Sequence, residues 1–183
     1  MKPRGLLMIE HRLIERMVAL MNYEIERIKK QDAPNIRFID AVIDFIKTYA
    51  DHTHHGKEED ILFRDCSKKT MSESDAKLMS ELFEEHRYGR KMVGELTEAK
   101  EKYALGDVSK QGAIMRKLEA LADLYPKHIL KEDSTFFPDT EKYFSKNELD
   151  RMLDEFREFD QKMIHEKYQS LVSYHEKTYG VRS

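Results

Sequence analysis

The chain repeats itself. The pattern H-x-x-K-E-[ED] occurs at residues 54–59 and again at 128–133, and each copy is followed at the same distance by a phenylalanine, Phe63 and Phe137. Glu10-His11-Arg12 stands upstream of the first copy, and Glu85-His86-Arg87 upstream of the second. The copies lie 75 residues apart for the triplet and 74 for the longer pattern. A chain of two like halves is confined to architectures with approximate internal symmetry. The matched letters include two histidines and a carboxylate in each half, which are side chains able to bind metals.

The apolar residues give the repeat its scaffold. They recur at intervals of three and four over long stretches, which is the signature of a helix with one buried face. The spacing predicts a first helix through Leu7, His11, Ile14, Val18, Met21, Ile25 and Ile28, closed by the polar run 29–32. A second follows Asp32 and Pro34, through Ile36, Ile39, Ile43, Ile46, Ala50, His54, Glu58 and either Ile61 or Leu62. Ser72 and Asp75 form a cap for a third, through Met79, Leu82, His86, either Gly89 or Arg90, Val93 and Leu96, which Gly106-Asp107 ends. A fourth runs through Ile114, Leu118, Leu121, Tyr125, His128, Glu132 and Phe136, with Pro126 expected to loosen the turn just before His128. Ser145-x-x-Glu148 is a capping box for a fifth, reaching about Tyr174.

The expected fold is therefore all-α. Residues 1–142 form an up-down-up-down four-helix bundle of two duplicated hairpins. Residues 143–183 add a C-terminal helix that packs on the bundle or makes a homodimer contact. Scarce glycine (7) and proline (4) agree with helices throughout.

With 37% charged residues of mixed sign and a net charge of −3, there is no basic field to attract nucleic acid or an anionic membrane. No apolar run approaches a membrane span or the core of a signal peptide. Cys66 stands alone, so no internal disulfide forms, and a reducing cytoplasm fits. Cys66 itself reads as a small apolar residue near a helix end.

His11, His54, Glu58, His86, His128 and Glu132 all fall on the apolar stripes, where ionisable groups are costly unless paired or bound to a metal. Residues four apart share a helix face, so His54/Glu58 and His128/Glu132 can each present an imidazole and a carboxylate to one centre. Two such carboxylates can bridge two metals. This nitrogen and oxygen set suits iron, and manganese or zinc as well; the lack of cysteine donors argues against a zinc cage or an iron–sulfur cluster. His55/Glu59 has the same spacing as His54/Glu58, but the repeat and the stripe both select 54 and 58. His52 and His55 are expected off the stripe and exposed. His165 and His175, on the fifth helix, have no support from the repeat.

These motifs resemble the hemerythrin-like, HHE-type cation-binding family over residues 1–140. The resemblance implies a non-haem di-iron centre: His11 and His54 on one iron, His86 and His128 on the other, Glu58 and Glu132 bridging, with an oxo or hydroxo group or water between. Oxygen-carrying relatives place another histidine one turn after the third-helix ligand. Here that position is Arg90, so the second iron loses a nitrogen donor, and Arg90 is expected to pair with Glu85 or a bridging carboxylate. The implied ligands are O2, NO or peroxide, bound or sensed, with iron handling beside them. The alternative is an enzyme that removes peroxide or NO, or repairs iron–sulfur clusters, assisted by Arg90, Tyr49 or Tyr125. The ferritin-like class uses Glu-x-x-His on two helices, a motif this chain lacks.

Overall fold

A computed structural model describes residues 2–30 and 32–179, with side chains as far as Met163. The side chains of His165 and His175 thus lie outside the described residues. Five helices follow one another: α1 (Pro3–Lys29), α2 (residues 36–66), α3 (Glu73–Ala104), α4 (residues 111–141) and α5 (Lys146–Tyr179), with a short helical turn at Val108–Lys110 between α3 and α4. There is no strand among the described residues.

The helix ends are set by local chemistry. Pro3 opens α1, where its missing N–H costs no hydrogen bond. The side chain of Asn35, not Asp32, caps α2 by accepting from the Phe38 amide at 3.2 Å. Ser72 accepts from the Asp75 amide at 3.2 Å and starts α3. Gly106, with φ of 102°, takes the left-handed conformation that turns the chain out of α3. The box at α5 is complete: the Ser145 amide donates to Glu148 at 2.8 Å and the Glu148 amide donates to Ser145 Oγ at 3.4 Å.

Helix α4 continues through Pro126. The expected loosening appears later, as a widened turn with i→i+5 hydrogen bonds at Glu132–Phe136. Helix α2 is widened in the same way over Ile46–His55 and Glu58–Phe63. Such π-helical turns are uncommon and gather at functional sites.

Helices α1 to α4 form a closed ring in which α1 packs on α4, α4 on α3, α3 on α2 and α2 on α1. Two apolar clusters fill it. The larger runs from Ile14, Met21 and Ile39 to Leu96, Leu118 and Ile129. The smaller holds Leu7, Phe63, Leu82, Phe136, Met152 and Phe156. Met152 and Phe156 come from α5 and anchor it on the bundle; each such burial contributes about 2 kcal/mol. Cys66 is fully buried in this cluster, and burial pushes its thiol up to about 12, as expected of an inert, small apolar residue. The polar centre lies between the clusters, since His11 sits one turn from both Leu7 and Ile14.

Candidate metal centre

All six stripe residues converge. His11, His54, Glu58, His86, His128 and Glu132 are each no more than 3% exposed. The two carboxylates stand between two imidazole pairs. Glu58 lies with one oxygen 3.4 Å from His54 Nε2 and the other 3.4 Å from His86 Nε2. Glu132 lies 3.2 Å from His11 Nε2 with one oxygen and 3.2 Å from His128 Nε2 with the other. Within the pairs, Nε2 faces Nε2 at 2.9 Å for His11 and His54, and at 3.1 Å for His86 and His128.

His55 corrects the sequence reading. It is not exposed but 4% accessible, and its ring stacks on that of His86 with centroids 3.8 Å apart. The widened turns of α2 explain this. With hydrogen bonds reaching five residues ahead, consecutive residues are separated by a smaller angle, so His54 and His55 both reach the interior. His52 is exposed, as expected. The donor atoms fall into two groups, each within 4.8 Å: His11, His54, Glu58 and Glu132 in one, and His55, Glu58, His86 and His128 in the other. The nitrogen donor that Arg90 fails to supply is thus matched in space by His55, from a different helix.

A second layer holds the rings. His11 Nδ1 donates to Asp133 at 2.7 Å, His54 Nδ1 to Glu10 at 2.9 Å, His86 Nδ1 to Glu59 at 2.7 Å and His128 Nδ1 to Glu85 at 2.9 Å. Each carboxylate belongs to a neighbouring helix. Fixing the proton on Nδ1 leaves Nε2 as the nitrogen offered to the centre, the arrangement common to metal-binding histidines. His55 is held more loosely, 3.4 Å from Asp51. A basic residue backs each carboxylate: Lys57 on Glu10, Lys131 on Glu85, Arg12 on Asp133, and Arg90 on both Asp51 (2.8 Å) and Glu59 (2.7 Å). Arg90 therefore pairs with neither Glu85 nor a bridging carboxylate. Tyr125 stacks near His55, with ring centroids 6.4 Å apart, whereas Tyr49 stacks on Phe45.

The electrostatics favour a cation. All four oxygens of Glu58 and Glu132, and Nε2 of His55, are buried without a hydrogen-bond partner. Buried polar atoms are rarely left so unless something else satisfies them. Burial and the adjacent Glu132 push the Glu58 carboxyl well up. Burial alone would raise Glu132 too, but His128 and His11 hold it well below its usual range. Burial, with neighbouring imidazoles, lowers His54 and brings His55 and His86 down to about 3. Burial also acts downward on His128, but Glu132 and Glu85 outweigh it and push it up to about 9. Burial likewise pulls His11 down, but Asp133 and Glu132 push it up, so His11 and His128 are both driven toward their charged forms beside the acidic cluster. The donors are imidazole nitrogen and carboxylate oxygen without sulfur, the set that suits iron, manganese or zinc. The residues fit a metal centre.

No helix among the described residues is long and apolar enough to cross a membrane. No curated protein and no solved structure matches the chain. The family model of the hemerythrin HHE cation-binding domain matches residues 3–140, which takes in all four bundle helices and every residue of the two donor groups. By that match and by the cation-ready cluster it encloses, the chain belongs to the hemerythrin HHE cation-binding family.

Proposed function

We propose that the protein holds two iron ions and binds a small oxidant or diatomic molecule, O2, NO or peroxide, at that pair. The observation that carries this is the pair of fully buried carboxylates, Glu58 and Glu132, each offering one unpartnered oxygen to each imidazole set. His11 and His54 belong to the first position. His55, His86 and His128 belong to the second. When bound, the iron pair supplies redox change and coordination positions open to an outside ligand.

The chain's residues supply the rest. The outer carboxylates orient the rings, and the apolar clusters on both sides exclude bulk water. A cleft of about 340 Å³ reaches the centre; Asp51, His55, His86, Arg90 and Tyr125 are among its lining residues. It has room for a diatomic molecule or peroxide. The lone buried Cys66 needs no oxidising compartment, which fits a cytoplasmic protein. The same cleft supports a second reading, turnover of peroxide or NO, since it gives a substrate a way in.

Elemental analysis and absorption spectroscopy test the proposal. Protein purified in air should carry about two irons per chain and absorb in the near ultraviolet as a bridged ferric pair, with a shift on adding azide. A chain that cannot take up iron under reducing conditions would sink it. Peroxide and NO consumption no faster than with free iron would remove the enzymatic reading alone.

A further inference from the structure

The two halves of the centre also differ in how the lysine behind the outer carboxylate is partnered. In the second half, Lys131 backs Glu85 and also pairs with Glu81 at 2.5 Å, both on α3. In the first half, Lys57 backs Glu10, but the residue equivalent to Glu81 is Leu6, which has no charge to offer a lysine and packs against the smaller apolar cluster. Its place is taken from outside the bundle. Asp160 of α5 accepts from Lys57 Nζ at 2.6 Å. Lys57 is completely buried, whereas the Lys131 side chain is 28% exposed. A buried ammonium needs its partners far more than an exposed one. Asp160 lies beyond the residues that the family model matches.

We infer that Asp160 is a positioning residue for the first metal position, so that α5 is part of the metal centre rather than an appendage. It acts through Lys57, which fixes Glu10, which fixes the His54 ring with Nε2 inward. Phe159 brings α5 in close at the same level. A Cβ on Gly56 would lie 2.7 Å from its ring, so the glycine between His55 and Lys57 permits the approach. The inference rests on His11 and His54 forming one metal position.

The test is an anaerobic titration of the metal-stripped full-length protein with Co(II) or Fe(II), with melting of the metal-free form measured alongside. Wild type should take up two equivalents. Asp160→Asn should weaken one step by about 10-fold, the lower end of what loss of a partner touching the ring itself costs. Glu81→Gln should weaken the other step. Leu6→Glu combined with Asp160→Asn should restore binding by rebuilding the arrangement of the second half. Asp154→Asn, at an exposed carboxylate paired only with Arg157, should change nothing. Wild-type binding in Asp160→Asn would overturn the inference. So would equal weakening of both steps with a lowered melting temperature, which marks a merely structural role. If Asp160→Asn does not fold, the Leu6→Glu double variant decides: a weak first step there overturns it. A wild-type protein that binds fewer than two ions would instead overturn the two-metal reading.

Discussion

The imidazole of His55 lies flat on that of His86, with ring centroids 3.8 Å apart and planes 13° from parallel. The contact puts a third imidazole in the donor group of Glu58, His86 and His128, with Nε2 buried and unpartnered. His55→Ala should therefore lower the metal content or weaken the second step of binding, while His52→Ala, at an exposed position, leaves both unchanged. Metal analysis of the two variants side by side checks this, and equal loading in both would refute the role of His55.

The two central carboxylates, Glu58 and Glu132, should respond to neutralisation with opposite signs in the metal-free protein. Glu58 is pushed toward its neutral form, so Glu58→Gln should leave the metal-free melting temperature unchanged or raise it. Glu132 is the charged partner of His11 and His128, so Glu132→Gln should destabilise by about 3 kcal/mol through the buried charges it strands. Both variants should lose metal. Thermal melts of chelator-treated protein separate the two cases.

Three of the buried histidines should make the stability of the metal-free protein pH-dependent on both sides of neutrality. Burial pushes His55 and His86 down to about 3 in the fold against 6.5 when free, so the unfolded chain takes up protons first, and stability falls as the pH drops from 6.5 toward 3. His128 titrates at about 9, so its contribution is full below 6.5 and is lost as the pH rises through 9. Metal displaces the proton on His128, so binding should tighten toward alkaline pH with proton release. Melting curves and titrations across this range test both limbs; a melting temperature that rises from neutral to alkaline pH would contradict the assignment.

Gly56→Ala should destabilise the protein by about 1–3 kcal/mol, because the new Cβ would lie 2.7 Å from the Phe159 ring. Shortening that ring should recover the loss. A double variant with Phe159→Leu, measured by denaturant unfolding, should therefore lie closer to wild type than Gly56→Ala alone.

The stripes of three and four made the all-α fold legible, because each bundle helix buries one continuous apolar face. They also carried the six repeated donors to the interior. His55 escapes the stripe because its segment of α2 winds more widely than an α-helix. A signal was nonetheless present. In the repeat His55 aligns with Ile129, a core residue 3% exposed, and an isoleucine there marks an inward position. The outer layer escaped for a different reason. Glu10, Lys57 and Glu59 were visible as repeated letters, but nothing local says which helix a carboxylate reaches across to. Asp160 has no counterpart in the repeat, and only the docking of α5 brings it to Lys57.

The four carboxylate–imidazole contacts run in one direction around the bundle: Glu10 of α1 to His54 of α2, Glu59 to His86 of α3, Glu85 to His128 of α4, and Asp133 back to His11 of α1. Two of these links lie within a hairpin and two pass between hairpins. The two that pass between are the same contact made twice about a pseudo-two-fold axis. A chain of one repeat could not close the circle by itself; it would have to meet a second copy of itself across that axis.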